Sequence, residues 1–350
     1  MTNYLAGLQQ GVHLGDGAFG AVFKCTDPVQ GPVAGKYFYA AKFPSPQAWQ
    51  IACQKALAEA QTLKALEHVN ILRVHHVLVT HQGSEFLIVT EFCDKGSARA
   101  VAESNRIVLK DVKHIVREAA IGLNYIHSQG YLHRDVKPEN VFLKSNGAVK
   151  VGDFGLVTDE LQFGFATPYG TPVYWAPEVL VDKTCSAASD IYSLGATFLN
   201  LVSGDHWFFR EGRGQILLDG PAGHPIITDD LRYLPHVTLS WRTTINSLLR
   251  SAPDRRCDSM SKAVNLISRL PTVEDWVCDV ADDEISWSMT DGKRRLFVRW
   301  ENYFRTGEAW VAYSEGLKGE TKRTLAKSIA SDNWKQKYRA LQLFFEGRTP

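Results

Sequence analysis

The sequence is short of paired cysteines, of long apolar runs and of any charge excess. Its six cysteines (25, 53, 93, 185, 257 and 278) are scattered, with no C-x-x-C pair. That excludes a zinc ribbon or a disulfide framework read from spacing. No stretch approaches the ~20 consecutive apolar residues that span a bilayer. The opening "MTNYLAGLQQGV" has neither the basic start nor the apolar run of a signal peptide. Lys plus Arg is 39 against 38 for Asp plus Glu, so no molecule-wide basic field points to nucleic acid or an anionic membrane. There is no repeat and no low-complexity tract. The adjacent His75 and His76 would point to opposite faces of a strand, which argues against a shared metal. A soluble, cytoplasmic protein in a reducing compartment is the expectation.

What is present is an ordinary globular composition, 45% hydrophobic and 22% charged over 350 residues. "HLGDGAFGAVFKC" reads as two strands around a glycine turn, and "YFYAAKF" as a third. Residues 47 to 66 are rich in Ala, Leu, Glu, Gln and Lys and predict a helix. "EFLIVTEFC" reads as a buried strand. After Gly96 the texture becomes helical, with long segments ended by Gly130 and Gly204. Strands first and helices after predict a small β-rich lobe followed by a larger helical one.

Several short strings carry chemistry. Gly15, Gly17 and Gly20 in "LGDGAFG" let backbone amides approach a phosphate, although such a pattern arises by chance in roughly one chain in ten. "HRDVKPEN" has five fixed letters, expected by chance in about one chain in ten thousand. It resembles the catalytic loop of protein kinases, H-R-D-x-K-x-x-N, and the family's other motifs follow in order: Lys42 in "YAAK", Glu59 in the next helix, Asp153-Phe154-Gly155, and Ala176-Pro177-Glu178.

The resemblance to eukaryotic-type Ser/Thr protein kinases covers about residues 10 to 270 and implies an α+β, two-lobed kinase fold. It implies transfer of the γ-phosphoryl group of ATP, with Mg²⁺, to protein hydroxyls, a chemistry made mostly of positioning and charge stabilisation. Asp135 would orient the hydroxyl and accept its proton, and Lys137, as in Ser/Thr-selective members, would neutralise charge on the transferred group. Lys42 would hold the α- and β-phosphates, with Glu59 holding Lys42. Asn140 and Asp153 would be the metal's oxygen ligands. For adenine, the resemblance implies Val22 and Ala40 above, Phe142 below, Thr90 as gatekeeper, Glu91 and Cys93 in the hinge, and Ser97 at the ribose. Phe142 replaces the usual smaller aliphatic, and Ser97 a common carboxylate. Leu63, Val74, His133 and Phe154 would form the apolar column between lobes, Asp190 would hold the catalytic-loop backbone, and Glu178 with Arg256 would form a buried ion pair supporting the substrate platform beside Thr171.

Thr167 falls where family members are phosphorylated, by an upstream kinase or by autophosphorylation. Arg134 would pair with that phosphate bidentately, and Lys55, one turn before Glu59, could add a contact. Thr158 stands where a basic partner is common. The competing reading is a pseudokinase-like scaffold that binds partners without turnover, against which stands the presence of Lys42, Asp135 and Asp153.

The expected boundaries are a kinase domain at 8–270 (N-lobe about 8–90, hinge 91–95, C-lobe 96–270), an acidic linker at 271–284, and a small α+β module at 285–350. Residues 272 to 284 carry six acids and no base, whereas 285 to 350 carry thirteen Lys or Arg against seven Asp or Glu. Three strands, at "ISWSMT", "RRLFVRWENY" and "GEAWVAYSE", and a helix from Ser331 with Trp334, Tyr338, Leu341 and Phe345 on one face and Gly347 as its stop, are expected there. Five of nine tryptophans lie beyond residue 275, enough for a core of its own. The module could take a protein partner, nucleic acid less readily, or dock on the kinase lobe.

Overall fold

A computed structural model describes residues 7–17, 20–79, 83–152, 172–182, 185–209, 216–217, 226–227, 231–272, 276–303, 309–317, 322–328 and 333–347. The N-lobe is a five-stranded antiparallel sheet: β1 (Gln9–Gly17), β2 (Gly20–Asp27), β3 (Gly31–Tyr39), β4 (Val74–Val79) and β5 (Glu85–Glu91), in the order β1-β2-β3-β5-β4. Helix α1 (Pro46–Ala65) intervenes between β3 and β4. The inner face of the sheet buries Phe38, Val74, Phe86 and Ile88 in the main core, which Ala56 of α1 joins. The outer face buries a small separate cluster of Cys25, Val33, Leu87 and Val89. Such two-faced burial follows from the alternation of strand side chains. Gly20 is fixed by packing: a Cβ there would lie 1.6 Å from the Tyr37 carbonyl oxygen on β3.

The C-lobe continues through α2 (Arg99–Glu103), β6 (Arg106–Val108), α3 (Leu109–Ser128), the hairpin β7 (Val141–Leu143) and β8 (Val149–Val151), and α4 (Pro177–Asp182). Then come α5 (Ala187–Phe209), the short strands β9 (Ile216–Leu217) and β10 (Ile226–Ile227), α6 (Leu239–Leu248) and α7 (Met260–Ser268). Helix α3 buries one stripe, including Val112, Val116, Ala119, Leu123 and Ile126, and stops at Gly130 with φ 81°. Helix α5 does not end at Gly204 as expected. Gly204 takes φ 69°, the chain kinks, and the helix resumes because Asn105 Oδ1 accepts the His206 amide at 2.7 Å. Asn105, itself left-handed at φ 51°, stands just before β6 and so ties that strand to α5.

The C-terminal region adds β11 (Val277–Val280), β12 (Glu284–Thr290), β13 (Arg294–Glu301), β14 (Trp310–Gly316), β15 (Arg323–Lys327) and α8 (Trp334–Phe345). Two expectations need correction. The acidic stretch 271–284 is not simply a linker, because β11 lies in it. Nor does the C-terminal sheet stand alone: its order is β15-β14-β13-β12-β11-β6, so the kinase lobe supplies the sixth strand. Residues Arg106, Ile107 and Val108 pair antiparallel with Asp279, Cys278 and Val277. The acid within the strand misled because it takes the outward position of the alternation. Asp279 meets Arg106 at 3.1 Å, while Cys278 and Val280 turn inward and are buried. Strand β15 was not expected.

One core runs from the C-lobe into this sheet. Trp287, Trp300 and Trp310 are almost wholly buried on the inner face, with Leu341 and Phe345 of α8 in the same core. Trp287 Nε1 donates to His236 Nδ1 at 2.9 Å, Tyr338 donates to the Tyr233 carbonyl, and Arg242 pairs with Glu346 at 3.2 Å. Asn333 caps α8 by accepting from the Lys335 amide, and Gly347 (φ 68°) follows its last turn.

Candidate active site

The catalytic-loop backbone is held from beneath by one buried acid. Asp190, 1% exposed near the start of α5, accepts the amides of His133 and Arg134 at 2.8 Å each and His127 Nε2–H at 2.8 Å. Those bonds stabilise Arg134 at φ 70°, a conformation unfavourable for a residue with a Cβ. His133 is fully buried; its Nδ1 accepts the Asp135 amide at 3.3 Å and its Nε2–H donates to the Gly152 carbonyl at 3.3 Å. With both ring nitrogens engaged, His133 is a structural histidine.

Above this base the chemical groups converge. Asn140 Nδ2 donates to the Asp135 carbonyl at 2.8 Å and to Asp135 Oδ2 at 2.9 Å. Lys137 Nζ lies 2.7 Å from the same Oδ2. Asp135 and Lys137 retain 17% side-chain exposure each, open enough to meet a substrate. The Asn140 carbonyl accepts the Gly152 amide at 3.0 Å, so the loop is tied to the residue before Asp153. Asp153, Phe154, Thr158, Thr167 and Thr171 lie outside the described residues. Lys55, Glu59 and Leu63 lie on α1, but their side chains are likewise outside the description.

The upper wall requires a further correction. Lys42 and Ala40 are not on the third strand. β3 ends at Tyr39, and Ala40–Lys42 form a 3-10 turn in which Lys42 is exposed. The register instead puts Ala34 opposite the expected gatekeeper Thr90, and Lys36 between Val22 on β2 and Ile88 on β5. Directly paired residues share a face and strand side chains alternate, so Gly20, Val22, Ala34, Lys36, Ile88 and Thr90 all lie on one face. That face also carries buried Phe38 and Val74, the inward side of the sheet. Lys42 stands six residues further on, about 20 Å along an extended chain. The signal was available in "VAGK", residues 33 to 36.

The hinge and floor meet by strand pairing. Ser97 forms an isolated antiparallel bridge with Phe142, Ala98 N–H donates to the Val141 carbonyl at 2.7 Å, and Leu143 N–H donates to the Gly96 carbonyl at 2.8 Å. Phe142 and Ser97 are thereby neighbours. Cys93 is buried, and burial foremost pushes its thiol up to about 12, so it is an inert packing group. Glu91 shows a contact that sequence reasoning missed. Its carboxylate accepts from Lys144 at 3.0 Å, Lys150 at 2.9 Å and the Arg73 amide at 3.0 Å. Burial pushes its pKa up, but these bonds outweigh that and hold it below the ordinary range. The hinge is clamped to the β7–β8 hairpin by this cluster.

On the substrate side, Arg256 donates to Glu178 through Nη1 and Nη2 at 2.7 and 3.0 Å, and to the carbonyls of Ala188, Arg250 and Ser251. Arg256 is only 4% exposed, and this full set of acceptors is what a buried guanidinium requires.

A glycine-turn sheet over a hinge, with an anchored Asp–Lys–Asn loop beneath, is the arrangement that defines the protein-kinase class. The family comparison agrees: the protein kinase domain model matches residues 8–266, and the chain belongs to that family. It is 33% identical over 230 residues to cytokinesis protein sepH of Emericella nidulans, covering 65% of this chain and 16% of that protein. It is 34% identical over 206 residues to serine/threonine-protein kinase WNK8 of Arabidopsis thaliana (58% and 36%) and 30% over 192 to serine/threonine-protein kinase TOS3 of Saccharomyces cerevisiae (48% and 34%). The chain thus spans between about a sixth and about a third of these relatives' lengths.

Proposed function

We propose that the chain is a Ser/Thr protein kinase that transfers the γ-phosphoryl group of ATP to protein hydroxyls. The observation that carries this reading is the Asp135 carboxylate, held on one oxygen by Asn140 and Lys137. That hold fixes its orientation and leaves it able to accept a hydroxyl proton. Lys137 supplies positive charge beside the reacting group. Lys36, with Ala34 and Val22 beside it, takes the phosphate-holding role first expected of Lys42. Thr90, the backbone of Glu91 and Cys93, Ser97 and Phe142 would bound the adenosine, and Glu178 with Arg256 would support the substrate platform.

Asn140 is 3% exposed, its amide nitrogen donates to Asp135, and its amide oxygen is a hard donor of the kind Mg²⁺ prefers. Asn140 and Asp153 would hold that ion, whose positive charge would offset that of the nucleotide phosphates. The control proposed for the enzyme is phosphorylation of Thr167, with Arg134 as the phosphate's partner and Lys55 in support.

The test is incubation with labelled ATP, Mg²⁺ and a generic protein substrate. Transfer to Ser or Thr that disappears in Asp135→Asn supports the reading. Absence of transfer by the wild type, with nucleotide binding retained, would favour a scaffold. Equal rates for Thr167→Ala and wild type would remove the proposed control.

A further inference from the structure

Behind the hinge, the turn between α1 and β4, strand β4 and the β8 lysine enclose a cavity of about 510 Å³. Its floor is apolar, with Leu66 and Val74 buried, and Val69 stands 74% exposed at its edge. Its walls are basic. Lys64, Arg73 and Lys150 contribute three cations, and His68, His75 and His76 add three imidazoles. Among the described lining residues the one acid is Glu67, a solvent-exposed group 3.7 Å from Arg73. In a chain whose charges nearly cancel, this is a local concentration of one sign.

The imidazoles respond to it. Burial, then the nearby Lys150, lowers the pKa of His68, against an opposing pull from Glu118. Burial, then Arg73 and His76, lowers that of His75, against Glu91 and Asp27. A negative group entering the groove would meet the exposed Lys64 and Arg73 at its rim, whereas Lys150 is already paired with Glu91 at 2.9 Å.

We propose that this groove docks an acidic peptide segment of a partner protein, its carboxylates on Lys64 and Arg73 and an apolar side chain on the Leu66–Val74 floor. The volume suits a few side chains. A single-stranded nucleic acid fits less well, because among the described lining residues there is no Phe, Tyr or Trp to stack on bases. The proposal does not rest on phosphotransfer, since it is read by binding alone.

The test uses the full chain and a fluorescein-labelled peptide of alternating glutamate and leucine, followed by fluorescence anisotropy. Saturable binding is expected, weakened by about tenfold or more in the double variant Lys64→Glu, Arg73→Glu. Val69→Asp should also weaken it. All three side chains are exposed, so unchanged melting of the variants separates lost docking from lost folding. The proposal is overturned if the wild type shows no saturable binding or if the double variant binds equally well. It is also overturned if a single-stranded oligonucleotide of matched charge binds more tightly than the peptide.

Discussion

The five-stranded and six-stranded sheets share the same alternation of inward and outward side chains, yet differ in what the inward face does. In the N-lobe it carries Gly20, Val22, Ala34 and Lys36 alongside the buried Phe38 and Phe86, so part of it stays open as a cleft roof. In the C-terminal sheet it is closed by Trp287, Trp300 and Trp310 under α8 and the C-lobe. A polar group on the first face can meet a ligand, whereas one on the second must be satisfied internally, as Trp287 is by His236. The comparison also assigns the C-terminal region a structural role: with β6 as its sixth strand, it completes the lobe rather than hanging from it.

The largest separation between the two regions should come from Asp135→Asn, which is expected to lower the phosphotransfer rate by about 10²–10⁴-fold with little change in melting. Trp287→Ala should do the reverse, costing about 3–5 kcal/mol in chemical denaturation while leaving the KM for ATP near the wild-type value. An equal loss of activity and stability in both variants would erase the distinction.

A pH effect of intermediate size is expected at the closed face. Burial lowers His236 from 6.5 to about 3, and the ring faces Trp287 and Phe345. Between these values the unfolded chain binds the proton and the folded chain does not, so stability falls as pH drops from 6.5 toward 3. The slope in that window should shrink in His236→Gln, measured by urea midpoints across the range. The smallest effect belongs to the Arg106–Asp279 pair, whose side chains are about half exposed. Arg106→Ala should shift stability by less than about 1 kcal/mol, since the backbone ladder of β6 and β11 persists.

How far these features were legible varied with their range in sequence. The 131–140 loop was legible because Asp135, Lys137 and Asn140, which the structure brings together, fall within one short segment. The stops at Gly130 and Gly347 were also local. Lys36 was not legible with certainty, since "VAGK" and "YAAK" both offer a lysine two residues after an alanine. What separates them is the pairing of β3 with β5, a contact made across about fifty residues. Strand β6 is three residues long and gives no periodic signal, so its pairing with β11 appears only in the fold. The acids of 272–284 suggested a solvated linker because charge was counted without regard to which face each residue would take.

The most direct test of the account compares Lys36→Met with Lys42→Met in the labelled-ATP assay, with thermal melting as a folding control. Lys36→Met should lower phosphotransfer by about 10²-fold or more, as expected for removing a positioned phosphate-binding charge, while Lys42→Met stays close to wild type. Loss of activity in Lys42→Met with Lys36→Met unaffected would contradict the register and the site built on it.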